Sequence, residues 1–230
     1  MISSGARSIR RGVARLRLLS QPLKNRLSGI APRSINDYAT HIPILVGIAQ
    51  RFQIRRVLEL GCGAFSTSTF LNRKIFADLE RLDSYETDRS WLEKTATAFQ
   101  GDDRFRPTLI SGAIAPGFRE TKLEVFDLIF VDDSSSAAER KETVRQLANQ
   151  SLPHQLIVIH DFEIGDYRDA ASTFEHRQIF REFTPQTGVV WNGFPEVVAV
   201  LKKLNRQIIH HSKNIPVDDA TGWRRVLRAE

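Results

Sequence analysis

Residues 55–63 constrain the fold more than any other part of this sequence. The run Arg-Arg-Val-Leu-Glu-Leu at positions 55–60 is typical of a buried strand, and Gly61-Cys62-Gly63, here called the glycine turn, follows it directly. Glycine tolerates positive φ and carries no side chain, so the backbone of such a turn can approach a ligand closely. The sequence therefore predicts a strand that ends at a ligand-binding turn.

Strand-like and helix-like segments alternate on both sides of the glycine turn. A helix is predicted over about residues 35–52 and another at 67–71, and later helices at 90–99, at 167–174 and after a capping box formed by Ser136 and Glu139. Buried strands are predicted at 82–86, 108–111, 126–131 and 156–160. This alternation is typical of an α/β fold in which a parallel sheet carries helices on both faces.

The C-terminal third shows a different pattern. Strand-like runs at 179–183, 189–191 and 196–201 follow one another without a long helical pattern, which predicts a terminal hairpin. We expect three regions along the chain: a basic helical arm at 1–34, one globular domain at 35–204 and a polar C-terminal tail at 205–230.

The composition indicates an ordinary soluble globular protein. The chain has 230 residues, of which 41% are hydrophobic and 26% charged, so it can bury one sizeable core. It lacks both the roughly 20-residue apolar run of a membrane span and the apolar core of a secretory signal, so we expect a cytoplasmic protein. Cys62 is the single cysteine, which excludes an internal disulfide and a thiolate metal site.

The net charge of +6 is unevenly distributed. Residues 1–33 contain eight basic and no acidic residues, which leaves 25 basic against 27 acidic residues in the rest of the chain. This balance argues against a domain-wide nucleic-acid surface, and we expect no nucleic-acid partner. Apolar residues recur in the arm at steps of three and four, which predicts an amphipathic helix interrupted at Pro22.

The basic arm supports four interpretations. It can be a helix docked on its own domain or on a second copy, a helix at a membrane surface, an arm that binds polyanions, or an organelle-targeting peptide. A basic amphipathic pattern does not distinguish among them. Self-association, contact with an anionic surface, and an organellar or peripheral-membrane location therefore stay open alternatives.

Two acids and one missing glycine define the ligand more closely. Glu59 precedes the glycine turn, and Glu86 ends the next predicted strand, 23 residues beyond Gly63. A carboxylate at that place can accept hydrogen bonds from both hydroxyls of a ribose. A dinucleotide fingerprint would have a third glycine where this chain has Ser66, so the pattern favours a nucleoside ligand other than a nicotinamide dinucleotide.

At these residues the chain resembles the class I S-adenosylmethionine-dependent methyltransferase superfamily. Residues 57–63, Val-Leu-Glu-Leu-Gly-Cys-Gly, match its first motif, while Tyr85-Glu86-Thr87-Asp88 is similar to the second and residues 126–133 to the fourth. The resemblance spans about residues 35–203. It implies a Rossmann-like sheet of seven strands, mostly parallel, whose last strand is antiparallel.

The resemblance also implies a role for individual residues. It assigns Glu59 and the glycine turn, Gly61, Cys62 and Gly63, to the methionine end of S-adenosylmethionine, and Glu86 to its ribose. Ser111 and Gly112 fall where the family contacts adenine, although the usual acid is missing there. Asp132, at the end of the fourth motif, completes the expected cofactor contacts.

Acids and one histidine follow two strands that the implied sheet makes neighbours. Asp132 and Asp133 end one strand, and His160 and Asp161 end the next, so all four should face the mouth where ligands bind. Methyl transfer to an alcohol needs a base for the hydroxyl proton. His160, whose ordinary pKa is near 6.5, is the first candidate, with Asp132 and Asp161 beside it.

A divalent cation is the alternative at this place. Asp132, Asp133 and Asp161 could share Mg²⁺, as in some small-molecule O-methyltransferases of this superfamily. The neighbours of Asp161 here are His160 and Phe162, whereas an asparagine often follows the aspartate in the cation-dependent type. We therefore expect no metal.

The activity that the sequence favours is S-adenosylmethionine-dependent O-methylation of a small-molecule or sugar hydroxyl. Two other hypotheses stay open. The run Asp132-Asp133-Ser134-Ser135 is similar to the loop of aminopropyl transferases, which share the fold. Alternatively, the domain has lost catalysis and binds a partner through the basic arm.

Overall fold

The computed structural model describes residues 36–117, 121–134 and 136–228. The predicted N-terminal arm therefore lies outside the described residues. The other regions can be compared with the expectations directly.

A seven-stranded mixed sheet forms the centre of the described part of the chain, in the order β3-β2-β1-β4-β5-β7-β6. The strands are β1 Arg56–Leu60, β2 Arg81–Glu86, β3 Phe105–Leu109, β4 Leu128–Val131, β5 Leu156–Ile159, β6 His176–Phe180 and β7 Thr187–Trp191. Strands β1 to β5 pair in parallel, whereas β7 runs antiparallel to both β5 and β6. The predicted α/β class, the seven-stranded sheet and its antiparallel last strand are confirmed.

Helices cover both faces of the sheet. They are α1 Ile42–Ala49, α2 Ser66–Leu71, α3 Arg89–Ala98, α4 Ile114–Gly117, α5 Ala137–Gln150, α6 Gly165–Ala170, α7 Glu196–His211 and α8 Ala220–Val226. Short 3-10 turns lie at Asp37–Ala39, Leu123–Val125 and Ala171–Thr173. None of the helices among the described residues is long and apolar enough to cross a membrane.

The central strands are buried because both of their faces are covered. Successive residues of β1 point to opposite sides, so Val57 joins the apolar cluster packed under α1 and α7, while Leu58 and Leu60 join the cluster under α5 and α6. Such double burial explains the nearly continuous apolar runs of these strands, in contrast to the alternation of a one-sided sheet.

Two local expectations were wrong at helices. The region 35–52 is a 3-10 turn followed by the shorter α1. Ser136 is the N-cap of α5 but makes no side-chain capping bond. The expected capping box is replaced by Ser134, whose hydroxyl donates to Glu139 at 2.5 Å and accepts the N–H of Ser136 at 3.0 Å. The helix itself begins where it was predicted.

The strand predicted at 196–201 is also wrong, since these residues begin the 16-residue helix α7. Val197, Leu201, Leu204 and Ile208 are its buried residues, and their spacing of three and four matches one helical face. The hairpin consists of β6 and β7 alone. Residue 205, where we expected a polar tail to begin, lies inside α7, and α8 packs against α1 with Trp223 fully buried.

The strand order creates the place for a ligand. Strand β1 has β2 on one side and β4 on the other, so the chain builds the sheet outward from β1 through β2 to β3 and then returns to build it in the opposite direction from β4. Crevices that bind ligands in open α/β sheets lie beyond the carboxyl ends of the strands at such a reversal. The glycine turn follows β1 at this point.

Candidate functional site

A cavity of about 810 Å³ opens beyond the carboxyl ends of β1, β2, β4 and β5. This volume lies within the range of small-molecule and cofactor pockets, roughly 300–1,000 Å³. Its lining includes the residues of the glycine turn, the end of β2, the two strand-end acid pairs and part of the segment before α1: Asp37, Tyr38, His41, Gly61, Cys62, Gly63, Glu86, Trp91, Asp132, Asp133, Arg140, His160 and Asp161.

Gly61 is the residue on which the shape of the turn depends. Its φ is +88°, and a Cβ built on it would lie 2.3 Å from the carbonyl oxygen of Asp132. Its N–H donates to the carbonyl of Tyr85 at 2.8 Å. At Gly63 a Cβ would meet only the Ser66 hydroxyl, at 3.4 Å. The turn thus packs directly against the backbone that leads out of β4.

Glu59 supports the glycine turn from below and does not line the cavity. Its side chain is fully buried and accepts hydrogen bonds from the hydroxyls of Thr67, at 2.9 Å, and Ser84. Thr67 in turn accepts the N–H of Gly63 at 3.1 Å. Burial raises the pKa of Glu59 to about 7, against the opposing effect of these hydroxyl donors and that of Ser66.

Glu86 ends β2 and faces the cavity. Its Oε1 accepts the N–H groups of Thr87 at 2.7 Å and Asp88 at 3.0 Å, and its Oε2 lies 3.7 Å from the sulfur of Cys62. These bonds fix the carboxylate at the rim of the cavity, next to the glycine turn. A carboxylate offers about four acceptor positions, and the two N–H groups occupy those of Oε1, so a ligand hydroxyl would be received by Oε2.

Cys62 is a packing residue of the turn. It is buried, and burial, together with the nearby charge of Glu59, raises the pKa of its thiol to about 12. The reactive thiolate form is therefore absent near neutral pH.

Ser111 and Gly112, predicted at the adenine position, are both exposed, and neither lines the cavity. Strand β3 ends at Leu109, before them. Trp91, on α3, lies at the rim instead: its indole N–H donates to the carbonyl of Cys62 at 2.6 Å, and its side chain is 42% exposed. The sequence analysis missed this residue as a site residue because a tryptophan at helical spacing is usually part of a core.

Asp132, Asp161 and His160 meet as the sequence predicted, whereas the carboxylate of Asp133 faces the protein. Nδ1 of His160 lies 3.4 Å from Asp132 Oδ2 and 3.9 Å from Asp161 Oδ1. Nε2 lies 2.9 Å from the hydroxyl of Thr40, a contact that the sequence did not suggest. Asp161 adopts a φ of +56°, which aspartate tolerates better than most residues.

The charges of this group support one another. Burial disfavours the charged form of His160, but the hydrogen bond and charge of Asp132, with the charge of Asp161, outweigh it and raise the pKa of His160 above 6.5. Burial likewise opposes the charge of Asp132, whereas His160 and Arg140 lower its pKa below the ordinary value. The pair therefore favours a carboxylate beside a readily protonated imidazole.

A second histidine, His41, lies behind the first. It is 2% exposed, its ring centre is 5.0 Å from that of His160, and neither of its nitrogens has a hydrogen-bond partner in the described residues. Burial, followed by the charge of His160, lowers the pKa of His41 to about 3. His41 is therefore neutral wherever His160 titrates.

Arg140 is the main site residue that the sequence analysis missed. It lies in the first turn of α5, and its guanidinium is 2.9 Å from Asp132, 3.4 Å from Asp133 and 3.0 Å from Asp161. Only 4% of its side chain is exposed. In the sequence it stands within the charged run Glu-Arg-Lys-Glu, which is typical of a solvated helix face.

The residues present do not fit a divalent cation shared by Asp132, Asp133 and Asp161. Asp133 Oδ2 accepts the Thr143 hydroxyl at 2.5 Å, and its Oδ1 lies against Arg140, so this carboxylate faces the protein. Asp132, His160 and Asp161 do have ligand atoms within 4.8 Å of one another. The Arg140 guanidinium, however, already holds one oxygen of each of these two aspartates.

No protein-family model matches the sequence, and none of the curated proteins matches it. Solved structures do match. Human methyltransferase-like protein 13 in complex with SAH is 16% identical, with 78% of this chain and 91% of that chain covered and a TM-score of 0.51. Cofactor-bound Rv0187 from MTB is 18% identical, covering 76% and 90%, with a TM-score of 0.50.

Spermidine synthase in complex with the transition-state analogue AdoDATO is also similar, at 16% identity over 84% of this chain and 71% of that chain, with a TM-score of 0.51. At these identities the likeness concerns the fold. The fold of the described residues is that of the class I S-adenosylmethionine-dependent methyltransferases, as the motifs around the glycine turn led us to expect.

Proposed function

We propose that this protein binds S-adenosylmethionine and transfers its methyl group to a hydroxyl of a small molecule or sugar. One observation carries the proposal: the glycine turn, Glu86 and the pair His160–Asp132 all open onto one cavity of about 810 Å³. Cofactor-binding groups and a candidate base thus share one ligand-sized space. The similarity of the fold to that of a methyltransferase-like protein also supports the proposal.

Cofactor binding would use the two ends of the cavity in different ways. The Glu86 carboxylate suits the ribose hydroxyls, and the exposed ring of Trp91 offers a flat surface for adenine, a role we transfer from Ser111 and Gly112. The backbone of the glycine turn, with Asp132, suits the methionine end. When bound, S-adenosylmethionine would supply a methyl group made electrophilic by its positively charged sulfur.

His160 is the proposed base. Nδ1 lies beside Asp132 and Asp161, whose charges favour a proton on Nδ1 while the site is empty. An acceptor hydroxyl that enters between Nδ1 and these carboxylates would select the tautomer with its proton on Nε2, which can donate to the Thr40 hydroxyl. An acceptor hydroxyl placed there can give its proton to Nδ1 as its oxygen takes the methyl group. The imidazolium that forms is then stabilised by the two carboxylates.

Cofactor binding is tested by calorimetry with S-adenosylmethionine and S-adenosylhomocysteine. We expect wild type to bind both, and Glu86→Ala to bind at least about tenfold more weakly, since a hydrogen bond to a charged group contributes about 1.5–3 kcal/mol. Glu80→Ala is the matched control, because Glu80 is an exposed acid just before β2. Folded wild type that binds neither molecule refutes the proposal.

The base is tested by the release of S-adenosylhomocysteine in the presence of a panel of small-molecule and sugar alcohols. His160→Gln should lower turnover by about 10²- to 10⁴-fold, the usual contribution of a general base, and leave cofactor affinity unchanged. His154→Gln, at an exposed histidine before β5, should turn over as wild type does. Equal rates for His160→Gln and wild type would exclude His160.

Aminopropyl transfer is the second candidate function. Asp132, Asp133 and Ser134 line the cavity in the order that suggested it, and acids at the mouth suit an amine acceptor. Decarboxylated S-adenosylmethionine distinguishes the two reactions, because only an aminopropyl transferase converts it, with an amine, to methylthioadenosine. Mass spectrometry of products from each cofactor decides between them.

We propose that this protein is cytoplasmic. We also propose that residues 1–34 form an accessory arm that mediates self-association or contact with an anionic surface. Deletion of residues 1–33 should then leave cofactor affinity and turnover unchanged. The opposite hypothesis, a non-catalytic domain that acts through the arm, requires that no acceptor in the panel is methylated while the arm still binds its partner.

A further inference from the structure

We propose that the guanidinium of Arg140 is a built-in cation that replaces a divalent metal between the strand-end acids, so that Arg140 positions Asp132 and Asp161 beside His160 without metal. The geometric part of this inference stands alone. Its catalytic consequence rests on the proposed function.

The guanidinium is fixed from several directions. Nη2 donates to the carbonyl oxygen of Ser134 at 2.6 Å, Nη1 lies 3.4 Å from the carbonyl oxygen of His160, and the Tyr167 ring packs 5.2 Å from the central carbon. Arg140 is therefore tied to the backbone after β4 and to the backbone after β5. A charge held by two backbone segments and an aromatic ring is a fixed part of the site.

The acids divide their oxygens between Arg140 and His160. Oδ1 of Asp132 and Oδ2 of Asp161 lie 2.9 and 3.0 Å from Arg140, while their other oxygens face His160. Oδ2 of Asp133 accepts the Thr143 hydroxyl, and its Oδ1 lies 3.4 Å from Arg140 Nε without a hydrogen bond. Mg²⁺ and Ca²⁺ bind free carboxylate oxygens, and water or carbonyl oxygens complete the coordination. Here the oxygens of Asp132 and Asp161 face the planar guanidinium and His160 instead.

The replacement changes the chemistry available to an acceptor. A metal ion would bind the acceptor oxygen and lower the pKa of its hydroxyl. Nη1 and Nη2 of Arg140 already lie against Asp161, Asp132 and the Ser134 carbonyl, and Nε is buried against Asp133. The guanidinium therefore offers no position for that oxygen. Proton removal is therefore left to His160, and Arg140 acts through the acids that it positions.

A titration with Mn²⁺ tests the inference without any turnover. Binding is measured by the loss of the free-ion signal in electron paramagnetic resonance. Wild type should bind no Mn²⁺, whereas Arg140→Ala should bind one ion per chain through the released acids and gain thermal stability from it. Arg140→Lys keeps the positive charge and should exclude Mn²⁺ as wild type does. Arg145→Ala, which removes an exposed arginine of the same helix, is the control and should match wild type.

Two results would overturn the inference: Mn²⁺ binding by wild type that Asp132→Asn abolishes, or a folded Arg140→Ala that takes up no Mn²⁺. Removing one partner of a buried ion pair is strongly destabilising. If Arg140→Ala does not fold, the inference is tested by the Mn²⁺ titrations of wild type, Asp132→Asn and Arg140→Lys. Absence of S-adenosylmethionine binding, with this Mn²⁺ pattern intact, would remove the methyltransferase proposal and leave the built-in cation standing.

Discussion

Nε2 of His160 lies 2.9 Å from the hydroxyl oxygen of Thr40, a residue 120 positions earlier in the chain. Both side chains are buried, so this contact assigns Nε2 to the protein and leaves Nδ1 beside Asp132 and Asp161. A hydroxyl can donate or accept, so Thr40 serves either tautomer and fixes the orientation of the ring. Thr40 therefore holds His160 where it can act as a base.

Thr40→Val should separate this influence from cofactor binding. Loss of one hydrogen bond of about 0.5–1.5 kcal/mol frees the ring to turn away from its position, so we expect kcat to fall roughly two- to tenfold at unchanged affinity for S-adenosylmethionine. Thr40→Ser keeps the hydroxyl and should turn over at the wild-type rate. Steady-state kinetics at fixed pH measure both variants, and a Thr40→Val enzyme as fast as wild type would contradict this positioning role of Thr40.

The pH profile should report the raised pKa of His160. Methyl transfer requires the neutral ring, so kcat should rise with pH through a midpoint above 6.5. Asp132→Asn removes the largest effect that favours the charged form, and the midpoint should move to lower pH. The stabilisation from the charged pair is fully present below pH 6.5 and is lost as pH rises through the folded-state pKa. NMR titration, with His160→Gln for assignment, checks the midpoint, and a value below 6.5 would be incompatible with this account.

Glu59→Gln should make the protein more stable near neutral pH. Native Glu59, with a pKa of about 7, keeps its proton at pH values where the unfolded chain, near 4.5, has released it. The free energy of unfolding therefore falls as pH rises from about 4.5 to 7, by about 3 kcal/mol at most. Glutamine stays neutral and can still accept from Thr67 and Ser84. Urea unfolding at pH 5 and pH 8 measures the difference, which should shrink in Glu59→Gln and persist in Glu80→Gln.

The sheet could be predicted because its signals are local. Strands β1, β4 and β5 are buried on both faces, and an apolar run followed by glycine, aspartate or histidine marks each of them in the sequence. The run at 196–201 failed as a strand prediction because a short apolar stretch has no clear period, and only Leu204 and Ile208 complete the helical face of α7.

The site could be predicted only where its residues follow a strand. Asp132, His160 and Asp161 share one edge because parallel strands end together, and this follows from the sequence. Arg140 and Thr40 come from elements whose packing brings them there, and their sequence surroundings are those of a solvated helix and of an apolar segment. Such residues can be recognised only from the distances between side chains in the folded protein.

Gly61→Ala should cost far more than other alanine substitutions at glycines of positive φ. Gly101 has a φ of +93°, and an added Cβ there would meet nothing within 4 Å, so Gly101→Ala measures the backbone strain alone, about 1–2 kcal/mol. At Gly61 the same strain is joined by a 2.3 Å contact with the Asp132 carbonyl, which displaces the turn. We expect Gly61→Ala to lose cofactor binding and Gly101→Ala to retain it. Equal melting temperatures and equal affinities for the two variants would contradict the close approach.

Trp91 carries two functions that substitution can separate. Its indole N–H holds the carbonyl of Cys62, and its exposed ring is the proposed surface for adenine. Stacking of a base on an aromatic ring contributes about 1–3 kcal/mol, so Trp91→Leu should weaken S-adenosylmethionine binding by roughly 5- to 150-fold. Trp91→Phe keeps a ring but loses the N–H, and should fall between Trp91→Leu and wild type. Calorimetry with adenosine alone gives the sharper result: the ratio of affinities between wild type and Trp91→Leu should be the same for adenosine as for the whole cofactor. A loss seen only with the whole cofactor would assign Trp91 to the glycine turn and not to the adenine.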